Sequence, residues 1–166
     1  MSHRDTGSDS CAAEKVPSCA RGVQSAIWED AKKAGVAVTR PLFPSIEDGI
    51  EIHADQIQRY GGSLGIRDVE LLHSALGMPE AGFGDQYLHA GPFEMAAAYL
   101  YHIVQNHPFI DGNKRAGAMA AFGFLKLNGL TLEADEFVFE TLVLQAAQGQ
   151  VGKDAIAGFL REHTKS

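Results

Sequence analysis

Residues 93–128 read FEMAAAYLYHIVQN, then HPFIDG, then NKRAGAMAAFGFLKLN. The first block, Phe93 to Asn106, is apolar on nearly every side, the pattern of a helix buried in the middle of a domain. Pro108 disfavours helical backbone at the residue before it, so this helix is predicted to stop at the His107-Pro108-Phe109 turn. A second helix is predicted over Lys114 to Asn128, with Ala118, Ala121, Phe122, Phe124 and Leu125 supplying a broad apolar face and Gly129 stopping it. The small residues Ala116, Gly117, Ala118, Ala120 and Ala121 let it pack closely on the first. Two central helices joined by a charged loop therefore form the predicted centre of the molecule.

Outward from that pair the pattern remains helical. Asp48 to Tyr60 places Ile50, Ala54, Ile57 and Tyr60 near one face and ends at Gly61-Gly62. Asp68 is a candidate N-cap for Val69 to Leu76, and Arg67-Asp68 is read as a local cap with an exposed ion pair of little energetic weight. Phe137 to Gln148 and Asp154 to His163 complete the set. Gly77 to Gly91 (GMPEAGFGDQYLHAG) is dense in glycine, with Phe83 and Tyr87 in it, and reads as a long loop or short hairpin. Loops of that length in a compact domain are often functional. No other segment alternates convincingly as a strand, so the predicted class is all-α.

The chain has 166 residues, 45% of them hydrophobic and 21% charged, which suits one compact domain. Its formal net charge of −7 argues against non-specific binding to nucleic acid or membrane surfaces. Residues 1–41 differ from the rest. They are predicted to form an appendage, disordered at its start, with one short helix over Val23 to Ala34. The domain itself is placed at 42–166. Cys11 and Cys19 lie in the appendage without a second pair or nearby histidines, which favours free thiols over a disulfide scaffold or zinc site. No secretory leader or membrane span is legible, so a cytoplasmic location is expected.

The loop from His107 to Arg115 carries the chemistry. Gly112-Asn113 leads into a helix, and a helix N-terminus offers unpaired N–H groups and partial positive charge to an anion, phosphate above all. Gly112 lets the backbone approach such a ligand closely. Lys114 adds a point charge and Arg115 a bidentate fork. Two cations at this end oppose the helix dipole unless an anion neutralises them. Asp111 beside a phosphate site suits magnesium. An imidazole titrates near neutrality, so His107 is suited to taking a proton from an attacking hydroxyl. Phe109, among polar neighbours, is expected to anchor the loop in the core. Taken singly, each residue also fits a plain cap, turn or solvated helix end. His53, His73, His89 and His102 lack the spacing of a zinc site, and His102 is read as a central-helix residue touching the site or the core.

His107 to Arg115 matches, without a gap, the signature His-x-Phe-x-Asp/Glu-Gly-Asn-Gly/Lys-Arg, and the chain thereby resembles the Fic/Doc (Fido) superfamily. Lys114 at the variable position is similar to the death-on-curing (Doc) toxin branch. So are the flanking stretches IEIHADQIQRYGG, GIRDVELLHSAL, AAAYLYHIVQNHPFIDGNKR and AFGFLKLNG. The resemblance runs from about Leu42 to Arg161. It implies a Fic/Doc helical bundle with the active-site loop between two central helices and a small flap. It also implies His107 as general base, Phe109 as anchor, Asp111 as magnesium ligand, and Gly112, Asn113, Lys114 and Arg115 as binders of ATP phosphates. The flap would be Gly77 to Gly91, docking a target segment by strand addition near Phe83-Gly84.

Doc-type members with lysine at the position of Lys114 are expected to transfer the γ-phosphate of ATP. Members with glycine there transfer AMP. Many AMP-transferring relatives carry a second arginine where this chain has Ala118. The resemblance thus implies a toxin of a type II toxin–antitoxin system. Such a toxin would phosphorylate a hydroxyl of a target protein, elongation factor Tu by analogy, and would be held by a small antitoxin. Protein adenylyl or nucleotidyl transfer is the alternative; a non-catalytic toxin–antitoxin binding partner is the second. Some Fic proteins restrain themselves through a helix bearing Ser/Thr-x-x-x-Glu-Gly/Asn. Ser25 and Glu29 match that pattern, but Asp30 stands where Gly or Asn is expected.

Overall fold

The computed structural model describes residues 41–83 and 86–165. The predicted helix over Val23–Ala34, the cysteines Cys11 and Cys19, the candidate self-inhibition pair Ser25 and Glu29, and flap residue Gly84 lie outside the described residues. In chain order the elements are α1 (Ile46–Tyr60), α2 (Val69–Gly77), β1 (Gly82–Phe83), β2 (Gln86–Tyr87), α3 (Pro92–Asn106), α4 (Asn113–Leu127), β3 (Thr131–Leu132), α5 (Glu136–Ala147), α6 (Lys153–Glu162) and β4 (Thr164–Lys165). The architecture is all-α, with two short strand pairs as its only sheet among the described residues.

α3 is the axis. Met95, Ala96, Ala97, Ala98, Tyr99 and Leu100 are all buried, because α4, α6, α2 and α5 pack around it. α4 lies closest. A Cβ at Gly117 would come within 3.0 Å of Val104 Cγ1 and 3.1 Å of the Leu100 carbonyl oxygen, so the small residue sets how near the two helices approach. Phe124 and Leu125 of α4 and Ile156 and Leu160 of α6 fill the core on either side.

α1 starts two residues before the predicted Asp48. Ser45 caps it: its Oγ accepts from the Asp48 N–H at 3.2 Å while the Asp48 carboxylate accepts from the Ser45 N–H at 2.7 Å. Its buried face also differs from the expected apolar stripe. Asp48, Gly49, Ile52, His53 and Gln56 are turned inward, whereas Ile50 and Tyr60 are exposed. The reason is the neighbour: this face packs on α4 and the loop before it, which has carbonyls and cations to satisfy as well as apolar surface to cover.

Gly82–Phe83 and Gln86–Tyr87 pair as two antiparallel strands, with Gly82 opposite Tyr87 and Phe83 opposite Gln86. A second pair, β3 with β4, ties the chain after α4 to the C-terminus. Two-residue strands carry no alternation for a sequence reading to find. Asn128, at the end of α4, is fully buried and clips the segment before α1. Its amide accepts from the Leu42 N–H at 2.8 Å and donates to the Leu42 and Phe124 carbonyls at 3.0 and 2.8 Å.

Candidate active site

The loop between α3 and α4 is braced from within and from outside. Within it, Asn113 closes a reciprocal pair with Phe109: the Phe109 N–H donates to Asn113 Oδ1 at 2.9 Å, and Asn113 Nδ2 donates to the Phe109 carbonyl at 3.0 Å. Both ends of that amide are thereby used in shaping the loop. What Asn113 keeps for a ligand is its backbone N–H in the first turn of α4. Phe109 is 1% exposed and roots the loop in the core.

From outside, residues 63–68, which connect α1 to α2, run antiparallel along the loop. The Ser63 N–H donates to Asp111 Oδ2 at 3.1 Å, the Ile110 N–H donates to the Gly65 carbonyl at 3.0 Å, and Ile66 bridges Phe109. The Arg67 and Asp68 N–H groups both donate to the Pro108 carbonyl, at 2.7 and 3.1 Å. The expected Arg67–Asp68 ion pair does not form. Asp68 caps α2 by accepting from the Glu70 and Leu71 N–H groups, and the Arg67 guanidinium turns instead to the end of α3.

Two residues of α1 complete the frame. The His53 ring lies on Phe109 with centroids 3.8 Å apart, and its Nε2 stands 2.7 Å from the Asp111 carbonyl oxygen. Burial, with a smaller contribution from the Arg115 charge, lowers the His53 pKa, so the ring is neutral near pH 7 and Nε2 carries the proton it donates. Gln56 and Gly61 offer their carbonyls to Arg115, which donates from Nη1 at 3.1 Å and Nη2 at 3.0 Å. Part of the Arg115 fork thus holds the end of α1, and its remaining N–H groups are open to a ligand.

Asp111, Lys114 and His107 face solvent on this loop. Asp111 is exposed, and the Ser63 and Gly112 N–H groups, then the Arg115 charge, hold its carboxyl below the usual range. It is therefore an ionised acceptor with lone pairs to spare. Gly62 makes room for it: a Cβ there would fall 2.5 Å from Asp111 Oδ2. Gly112 adopts φ 76, ψ 18 as the N-cap of α4, a left-handed conformation that glycine adopts without strain, and no side chain caps the helix. The first-turn N–H groups are consequently available. Lys114 is exposed and forms no ion pair among the described residues.

His107 is exposed and ends α3 in the left-handed region, at φ 49, ψ 55. It is the sole described residue other than glycine with positive φ. Such a conformation costs on the order of 1–3 kcal/mol and persists only where neighbours over-determine it. Across the molecule surface, Phe83 of β1 is 91% exposed. His102 is not at this loop. It packs edge-on to Tyr101 and faces His89 and Lys153.

Residues 43–125 match the profile of the Fic/DOC family. The chain belongs to that family. It is 37% identical over 103 residues to Toxin Doc of Mycolicibacterium smegmatis, covering 61% of this chain and 79% of that protein. It is 32% identical over 117 residues to Protein kinase doc of Escherichia phage P1, covering 70% of this chain and 91% of that protein. The match contains the whole frame just described, from His53 to Arg115. It also contains the residues that motif reading missed: His53, Gly62, Ser63 and Arg67. For His53, Gly62 and Arg67 the sequence signal was the Fic/DOC-like pair of stretches IEIHADQIQRYGG and GIRDVELLHSAL, and Ser63 lies in the short link between them.

Proposed function

We propose that this chain is the toxin of a type II toxin–antitoxin pair and that it transfers the γ-phosphate of ATP to a hydroxyl of a target protein, by family analogy elongation factor Tu. The observation that carries the reading is the uncapped N-terminus of α4, with exposed Lys114 in its first turn, beside an ionised Asp111. The relatives named Toxin Doc and Protein kinase doc support the same class of activity. The partners this reading needs are the target, a small antitoxin and no nucleic acid or membrane. No described helix is long and apolar enough to cross a bilayer; the expected place of action is the cytoplasm.

The donor set fits a magnesium nucleotide. Mg²⁺ takes one or two carboxylates together with phosphate oxygens and water, and Asp111 is one such carboxylate, fixed in orientation by two N–H bonds. When bound, the ion would neutralise charge on the phosphates. The first-turn N–H groups of α4, Gly112 included in the approach, would cradle phosphate oxygens, with Lys114 and the free donors of Arg115 adding charge. His107 would accept the proton of the target hydroxyl as its oxygen attacks the γ-phosphorus. The bond from that phosphorus to the bridging oxygen breaks, and ADP leaves with the electron pair. Exposed Phe83, with Gly84 after it, would meet the target segment along the edge of this strand pair.

ATP labelled in parallel at the α and at the γ phosphate tests the reading. Label on the target from the γ position alone is expected. Label from the α position would replace phosphate transfer with AMP transfer. Toxicity on expression that persists in His107→Ala would instead indicate a non-catalytic partner.

A further inference from the structure

Arg67 reaches the backbone on both sides of His107. Its Nε donates to the His107 carbonyl and its Nη2 to the Asn106 carbonyl, each at 2.7 Å. The Asn106 carbonyl lies in the peptide plane before the His107 Cα, and the His107 carbonyl lies in the plane after it. Two peptide planes fixed about one Cα fix its φ and ψ, and with them the direction of the Cα–Cβ bond. The next plane is held as well, since the Arg67 and Asp68 N–H groups share the Pro108 carbonyl.

The backbone at His107 needs such a hold. It is left-handed without being glycine, and it precedes a proline that pushes the preceding residue toward extended geometry. The carbonyls at the end of α3 also carry the negative end of the helix, which a guanidinium complements. Arginine suits the place because its planar fork spans two carbonyls at once, whereas an ammonium would meet one.

We infer that Arg67 is a positioning residue for His107: it sets the left-handed backbone that presents the imidazole, and acts on proton transfer rather than on nucleotide binding. The part concerning proton transfer rests on the proposed role of His107 as base. The part concerning geometry does not.

The full-length chain with Arg67→Ala, and with the milder Arg67→Lys in case alanine compromises folding, tests both parts. NMR of isotope-labelled His107 reads the backbone without recourse to activity. Its Cα and amide resonances are expected to leave their wild-type positions in both variants while the core methyl spectrum is preserved. Unmoved His107 resonances would overturn the inference whatever reaction the loop performs. In single-turnover assays the transfer rate is expected to fall roughly 10- to 100-fold in Arg67→Ala, as misplacement of a catalytic group does. ATP affinity should stay unchanged, and added guanidinium should recover part of the rate. A loss of ATP affinity matching the loss of rate would overturn the inference by making Arg67 a support of the whole phosphate loop. If wild type transfers nothing, the proposed function fails on its own, and the His107 resonances still decide the positioning.

Discussion

The His53 ring lies flat on Phe109, with an interplanar angle of 2°, and the same ring donates to the Asp111 carbonyl. One side chain of α1 thus holds both the apolar root of the loop between α3 and α4 and the residue two positions on that faces solvent. His53→Phe keeps the stack and removes the hydrogen bond. It is expected to fold with a cooperative melt and to lose about tenfold in transfer rate, the usual effect of removing an outer support of a site. Wild-type turnover in this variant would show that the stack alone holds the loop.

On the proposed function, His107→Ala should abolish transfer and leave ATP binding largely intact, because the imidazole stands at the loop's start while the groups proposed to hold phosphate belong to α4. Equilibrium binding of ATP alongside a labelled-phosphate assay checks it. Equal loss of binding and turnover would give His107 a nucleotide-holding role instead.

Gly62→Ala places a methyl group where the Asp111 carboxylate now sits, at a backbone φ of +118 that side chains rarely adopt. The carboxylate must move. The expected result is a higher magnesium concentration for half-maximal activity, together with a lower melting temperature. A magnesium titration superimposable on wild type would argue that Asp111 does not take part in holding the ion.

Asn128→Leu removes an amide that satisfies the Leu42 N–H and carbonyl inside the core. Leaving those groups buried without partners should cost about 1–3 kcal/mol. Urea unfolding should show it as a lower midpoint. An unchanged midpoint would mean that residues 41–44 detach without consequence.

His102 supplies a pH dependence. Burial first, then the charges of Lys153 and His89, lower its pKa from 6.5 to about 4. His89 is lowered in the same sense by burial and Lys153, with Glu94 opposing, and the Tyr101 ring meets His102 edge-on. Between pH 6.5 and about 4 the unfolded chain takes up a proton at His102 that the folded chain refuses. Its contribution to stability is therefore complete above the ordinary value and is lost as pH falls through that window. Melting temperatures measured from pH 7.5 down to 4.5 should fall more steeply for wild type than for His102→Gln. Parallel slopes would remove His102 as the source.

What the linear chain discloses here is whatever depends on local order. The 3.6-residue periodicity gives α2 to α6 to within a residue or so at each end. The solitary Pro108 and Gly112 mark where the central helices break. Residues 107–115, contiguous in sequence, form a motif that is legible without folding, because a helix N-terminus and its neighbouring charges are local objects. The frame around that loop is different in kind. His53, Gly62, Ser63 and Arg67 are 40 or more residues from the atoms they hold, apart from the Asn106 carbonyl at 39. On α1, hydropathy pointed to Ile50 and Tyr60, yet the polar side turned inward because the loop it covers presents carbonyls and a guanidinium. Hydrophobic pattern ranks faces by their transfer from water; it carries no information about which polar groups will find a partner. Folding decided that Asn113 spends its amide on Phe109, that Arg115 ties down α1, and that Arg67 grips the end of α3 rather than Asp68. Those choices are set by which donors and acceptors come within hydrogen-bond reach, and reach is a property of packing.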